Sequence, residues 1–246
     1  MNIILSTRNP SKVDQIKPLF NNLTITVLTL DEVGIEGDTV EDGLTLEENA
    51  TKKVMFVQER LKEPAWVMAD DTGLFIPALG GAPGIHAARW AGDVSTEEIT
   101  QYTLDQLEGK TDRSARFETV AVVGSPEGKL FSFSGEVWGT LAESPKVKSQ
   151  PKMPYSPLFS PNGMNKVWAE MTVEEENAVS HRGKAFRQVV AFLEKEINAA
   201  LPNVPLDTEK AERVIRKRNV SLIGSGNYCP ECGGLCGNSQ HDRKKW

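Results

Sequence analysis

The sequence predicts an α/β fold, a mixed β-sheet with flanking helices, and three observations predict it. Short apolar runs alternate with stretches of helical periodicity over residues 2–107. Two longer strand-like runs meet at a Ser-Pro-Glu-Gly turn in the middle of the chain, and a long amphipathic stretch follows near residue 190. Alternation gives parallel strands with crossover helices, and the hairpin adds antiparallel ones, so the sheet is mixed.

Element by element, residues 2–5 read as a short buried strand. Ser11 stands where it can cap the helix that follows, which carries Val13, Ile16, Leu19 and Phe20 at helical spacing. A second strand over residues 24–30 leads into an acidic loop, 36–43. Thr45-Leu46-Glu47-Glu48 fits a capping box. The helix behind it places Leu46, Ala50, Val54, Val57 and Leu61 on one face, with Glu48, Asn49, Lys52 and Lys53 around its first turns. Trp66-Val67-Met68-Ala69 is an apolar strand that delivers Asp70 and Asp71 at its end. Gly80-Gly81-Ala82-Pro83-Gly84 predicts a tight loop, residues 96–107 a helix, and 116–124 and 129–141 two strands. Residues 144–154, rich in Lys and Pro, read as a loop. Thr172-Val173-Glu174-Glu175 offers a second capping box, and Ser180 caps the last long helix, with Phe186, Val189, Val190, Leu193 and Ile197 inward. The character changes after Leu201, giving a main domain over 1–201 and an appendage over 202–246 with a charged helical segment at 208–219.

No apolar run approaches the roughly 20 residues needed to span a bilayer, and the N-terminus lacks the charge and length of a secretory signal. A cytoplasmic location is expected. The net charge of −6 argues against duplex nucleic acid as a primary partner, although the basic tail residues Arg213, Arg216, Lys217, Arg218, Arg243, Lys244 and Lys245 could serve such a partner or lie on a solvated helix. All three cysteines fall between residues 229 and 236. That crowding favours thiolate chemistry over a disulfide framework. Cys229, Cys232, Cys236 and His241 together make a tetrahedral zinc set; the alternative is a thiol-bearing tail without metal.

Three separated segments suit one task, holding a polyphosphate beside a divalent metal. Ser6-Thr7-Arg8-Asn9-Pro10-Ser11-Lys12 joins a strand to a helix start, where unpaired N–H groups and the dipole favour anions, and Lys12 adds a cation. Asp70-Asp71 gives adjacent carboxylates for Mg²⁺, with Glu41 from the acidic loop as a third. Ser180-His181-Arg182-Gly183-Lys184 offers a donor fork, a switchable imidazole and a point charge at another helix start. The structural alternatives are a plain capped helix, an Asp70 cap with Asp71 paired to Lys53, and a core histidine.

In this order the segments resemble the inosine triphosphate pyrophosphatase family, over about residues 1–197. The resemblance implies a two-lobed sheet with a central cleft, Mg²⁺, a purine nucleoside triphosphate substrate and a homodimer. It implies triphosphate contacts from Thr7, Asn9, Ser11, Lys12 and Lys53, and metal contacts from Glu41, Asp70 and Asp71. Asp71 becomes the general base, and Thr72 stands for the serine of the family's Ala-Asp-Asp-Ser-Gly segment. Gly81-Ala82-Pro83-Gly84-Ile85-His86-Ala87-Ala88-Arg89 matches a further segment, and His181 and Arg182 would read the 6-keto group.

The pattern breaks around the base. The family's Gly-Phe-Gly-Tyr-Asp-Pro is here Lys152-Met153-Pro154-Tyr155-Ser156-Pro157, leaving Tyr155 and Ser156 as base-side candidates, and a family lysine becomes Glu176. If Glu176 faces the base, its acceptor suits guanine, which offers N1–H and a 2-amino group beside its keto oxygen; otherwise Glu176 points to solvent. The expectation is a Mg²⁺-dependent pyrophosphatase of inosine- or xanthine-type nucleotides, or one altered towards (d)GTP or a modified guanine nucleotide. A nucleotide-binding regulatory protein without turnover, its zinc tail recruiting a partner, is the alternative.

Overall fold

A computed structural model describes residues 1–200 and, beyond them, the backbone of residues 228–229 and 234–235. The expected zinc ligands Cys232, Cys236 and His241 lie outside the described residues, as do the helix expected over 208–219 and the basic side chains of the tail. Cys229 falls on a strand of which the backbone alone is described; Tyr228–Cys229 pairs antiparallel with Gly234–Leu235. No helix among the described residues is long and apolar enough to cross a membrane.

The main sheet runs β2-β1-β3-β5-β6-β7, with β4 on β3. Its strands are β1 (Asn2–Leu5), β2 (Thr26–Thr29), β3 (Trp66–Phe75), β4 (Pro83–Gly84), β5 (Ser114–Gly124), β6 (Leu130–Leu141) and β7 (Phe159–Pro161). β1 pairs parallel with β2 and β3, and the remaining pairs are antiparallel. Helices α1 (Pro10–Ile16), α2 (Leu46–Gln58), α3 (Thr96–Gln106), α4 (Val173–Val179) and α5 (His181–Ala200) flank it. The expected mixed α/β sheet is therefore present.

Period-two alternation divides the core at the parallel end of the sheet. Ile3, Leu5, Met68 and Val123 pack on one face with Ile16 of α1 and Phe186, Val189 and Leu193 of α5. Ile4, Val67, Ala69 and Val122 pack on the other with Ala50, Val54 and Val57 of α2. A third cluster, built on Leu74, Phe117 and Val137 with Ile99, Phe159 and Trp168, forms the second lobe. The long strands β3, β5 and β6 run through both lobes, and the cleft lies between them.

Three local expectations change. β3 does not end at Asp70 but continues through the acid pair to Phe75, because β5 pairs with it unbroken from Val67↔Gly124 to Phe75↔Arg116. Ladder pairing overrides the poor strand propensity of aspartate. α1 is capped by Asn9, whose side chain accepts from the Ser11 N–H, so Ser11 is not the cap. Thr45 caps α2, but the Glu48 carboxylate bonds the Leu44 N–H at 2.7 Å, one residue short of a full box. The box at Thr172 forms as expected, and another forms at Ser95–Glu98 ahead of α3.

Candidate active site

The cleft holds a cavity of about 570 Å³, the size of a small-molecule site. It opens where β1 stops: Ser6 N–H still bonds Met68 O at 2.8 Å, and beyond that point the β1 side of β3 has no strand pairing until β4 joins at Leu74 and Phe75. Asp70 and Asp71 lie just past this switch in strand pairing, a place where α/β sheets bind ligands.

Adjacent strand residues face opposite ways, and the two acids are served by different cations. Asp71 Oδ1 lies 2.8 Å from Lys53 Nζ, and its Oδ2 accepts from Asn49 Nδ2 at 3.1 Å. Lys53 Nζ also meets Glu41 Oε1 at 3.1 Å and the Asp70 carbonyl at 3.2 Å. Asn49 and Lys53 are one turn apart on α2, so a single helix face supplies both partners. Burial works against the Lys53 charge, but the Asp71 and Glu41 carboxylates outweigh it and raise its pKa.

Asp70 Oδ2 pairs with Lys12 Nζ at 2.9 Å and Arg182 Nε at 3.3 Å. Burial opposes its ionisation, yet Lys12 and Arg182 hold the carboxyl well below the ordinary range. Its Oδ1 is buried and has no hydrogen-bond partner among the described residues. Burial lowers the pKa of Lys12, and the Asp70 charge offsets this only in part.

The three carboxylates expected to share one metal are thus not gathered at one point, and no group of three or more metal-ligating side chains forms among the described residues. Glu41 and Asp71 converge on one ammonium, whereas Asp70 serves the other face. Two carboxylates beside a main-chain oxygen still fit Mg²⁺, which takes oxygen donors and usually one or two protein carboxylates with substrate phosphates.

At the other end of the cavity His181 stacks on Phe117, with ring centroids 4.8 Å apart and planes at 15°. Burial, with Arg182 nearby, pushes its pKa well down, so it is a neutral imidazole rather than the switchable donor expected. Arg182 is only 2% exposed and already committed: Nη1 donates to Gln15 Oε1 at 2.5 Å and Nη2 to Thr72 Oγ1 at 3.4 Å. Lys184 is turned away and bonds the Glu136 carbonyl. Glu176 does not point to solvent; it is 7% exposed and lines the cavity. Burial raises its pKa, with Arg182, Gln150 and Gln15 pulling the other way.

Residues 3–192 match the Ham1 family. The chain belongs to the Ham1 family. It is 36% identical over 200 residues to a protein of Caldanaerobacter subterraneus subsp. tengcongensis named dITP/XTP pyrophosphatase, covering 80% of this chain and 98% of that one. It is 35% identical over 215 residues to a protein of the same name from Desulfotalea psychrophila, covering 84% and 95%. The solved structure of the Staphylococcus aureus Ham1 protein aligns with a TM-score of 0.69 at 32% identity, over 80% of this chain and all of that one.

In this Ham1 protein the cavity is lined by Thr7, Asn9, Lys12, Glu41, Lys53, Asp70, Asp71, Thr72, Tyr155, Ser156, Glu176, His181 and Arg182. Ser11 is outside that set: its hydroxyl donates to the Pro151 carbonyl at 2.9 Å and ties the first loop to the base-side loop. The Ser11 and Lys12 N–H groups are already used by Asn9, so phosphate binding falls to side chains more than to the helix start. The Tyr155 hydroxyl donates to Ala87 O at 2.7 Å, which makes it a wall of the site. Ser156 Oγ accepts from Gln150 N at 2.9 Å and donates to Met153 O at 2.8 Å, closing its own loop.

Several residues that shape the site are not among those the sequence singles out as ligands. Asn49 positions Asp71, and Gln15 bridges Arg182 to the Glu176 side. Arg8 holds the acidic loop and the residues before it, through Asp31 at 2.8 Å, the Ile35 and Gly37 carbonyls and Asp38 at 3.2 Å. Arg89 bonds the Glu41 carbonyl at 3.0 Å. Gln15 was traceable as a polar side chain on the apolar face of α1, between Val13 and Ile16.

Proposed function

We propose that the protein is a cytoplasmic, metal-dependent nucleoside triphosphate pyrophosphatase that converts a purine (d)NTP to the monophosphate and pyrophosphate. The observation that carries this is the placement of Glu41 and Asp71 on one Lys53 ammonium inside a cavity that also holds Lys12. The names of the relatives support the reaction class. A homodimer is proposed on the family resemblance alone.

Glu41 and Asp71 would hold Mg²⁺, which when bound neutralises phosphate charge and makes phosphorus more electrophilic. Asp71 orients a water for in-line attack at the α-phosphorus and accepts its proton. The new P–O bond forms there, the bond from the α-phosphorus to the bridging oxygen breaks, and pyrophosphate leaves with that bonding pair. Lys12 and Lys53 stabilise the charge that builds on the leaving group. Without ligand both lysines neutralise carboxylates of the site, so binding of substrate involves an exchange of partners rather than the burial of free charges.

At the base end the buried Glu176 supports a preference for (d)GTP or a modified guanine nucleotide. Its ionised carboxylate matches the N1–H and 2-amino donors of guanine. Because its pKa is raised, the proton stays on to higher pH than in an ordinary glutamate. Guanine preference over inosine should therefore grow as pH rises through that pKa and shrink below it, read as the ratio of kcat/KM for dGTP and dITP. Glu176→Gln should flatten that dependence.

A panel of NTPs and dNTPs with Mg²⁺, assayed for pyrophosphate and orthophosphate, tests the reaction. Pyrophosphate from purine substrates supports it, and orthophosphate alone contradicts it. Tight binding without turnover would favour the regulatory alternative.

A further inference from the structure

We propose that Lys152 is a substrate-binding cation that contacts the polyphosphate from the base-side rim of the cavity, an inference that rests on the nucleoside triphosphate reading. Residues Gln150, Pro151, Lys152 and Met153 form a β-turn, closed by Met153 N–H on Gln150 O at 3.0 Å. Proline occupies the second position and Lys152, with φ of 56°, the third. That combination is a type II turn, whose third position calls for glycine or asparagine. Among the described residues Lys152 is the only non-glycine with positive φ. A left-handed backbone is costly for a side chain with a Cβ, and such outliers cluster at functional sites.

The turn is firmly held. Ser156 Oγ joins Gln150 N to Met153 O, and the Ser11 hydroxyl pins the Pro151 carbonyl. The second contact places the Lys152 backbone beside the first turn of α1, one residue from Lys12. Lys152 is exposed, lines the cavity and makes no ion pair among the described residues. Lys12 and Lys53 are both occupied by carboxylates. Lys152 is thus an available ammonium at the cavity rim, at a position where the backbone would be better served by glycine, and its charge suits an anionic ligand.

The test is the affinity for a non-hydrolysable purine nucleoside triphosphate analogue, at two salt concentrations, in wild type, Lys152→Gln, Lys152→Arg and Lys152→Gly. Lys152→Gln should weaken binding about tenfold at low salt, and less at high salt. Lys152→Arg should keep most of the affinity, and a monophosphate should be affected less than the triphosphate. Lys152→Gly should raise Tm by a few degrees while losing affinity as Lys152→Gln does. Analogue binding unchanged in Lys152→Gln, or a Lys152→Gly protein that gains stability with full affinity, would overturn the proposal. Pyrophosphate release by the wild type is scored separately. Release with unchanged Lys152→Gln affinity rejects the role of Lys152 alone, and absence of release with weakened binding rejects the reaction alone.

Discussion

Asp70 and Asp71 are neighbours with different duties, because a strand turns them to opposite faces. Asp71 faces Lys53 and Glu41; Asp71→Asn should lower kcat by at least about 10²-fold, the scale of general-base catalysis, with nucleotide binding still measurable by calorimetry. Asp70 faces Lys12 and Arg182; Asp70→Asn leaves two buried cations short of a counter-charge and should cost about 3 kcal/mol or more in urea unfolding. The sign of its pH dependence follows. Asp70 has a depressed folded-state pKa, so its contribution is present above about pH 4, the unfolded value, and is lost as pH falls towards the folded one. Wild-type stability should drop through that acid range more steeply than that of Asp70→Asn. The acid pair was legible as residues that matter, since adjacent carboxylates after an apolar run are unusual. Of their division of labour, the Asp71–Lys53 pair was among the readings the sequence offered and is present, whereas the role of Asp70 depends on how far β3 continues. Glu176 was open for the same reason: burial of an acid is decided by the helix packed against it, here with Arg182 and Gln15 from other elements.

At the scale of elements, most of the chain could be read from periodicity and caps. The Thr172 box, the hairpin and the long final helix form as expected. Elsewhere partners distant in sequence decide: β5 extends β3, and the Ser11 hydroxyl is held by the Pro151 carbonyl while Asn9 caps α1. The α4–α5 corner shows how tightly one element pair constrains the site. Ser180 Oγ caps α5 by accepting from Gly183 N–H at 2.9 Å, and a Cβ at Gly183 would run into the Asn177 main chain. Gly183→Ala should therefore force α4 and α5 apart, lower stability by about 1–3 kcal/mol and displace His181 and Arg182. Thermal unfolding together with the KM for nucleotide would register both effects.

At the scale of the whole molecule, the cleft holds paired charges: Lys12 and Arg182 with Asp70, and Lys53 with Glu41 and Asp71. Metal and polyphosphate together can replace these pairs, whereas either alone leaves charges unmatched. Mg²⁺ with a non-hydrolysable analogue should raise Tm by more than the sum of the two separate shifts, and an additive response would count against the exchange. The two-lobed shape and cleft were implied by resemblance rather than by periodicity, since patterns report local structure and not where strands change partners.

The most direct measurement is hydrolysis of dGTP or dITP with Mg²⁺ in ¹⁸O-labelled water, followed by mass analysis of the products. Attack at the α-phosphorus puts the label in the nucleoside monophosphate and leaves pyrophosphate unlabelled. Label in pyrophosphate, or release of labelled orthophosphate, would contradict the account of the site.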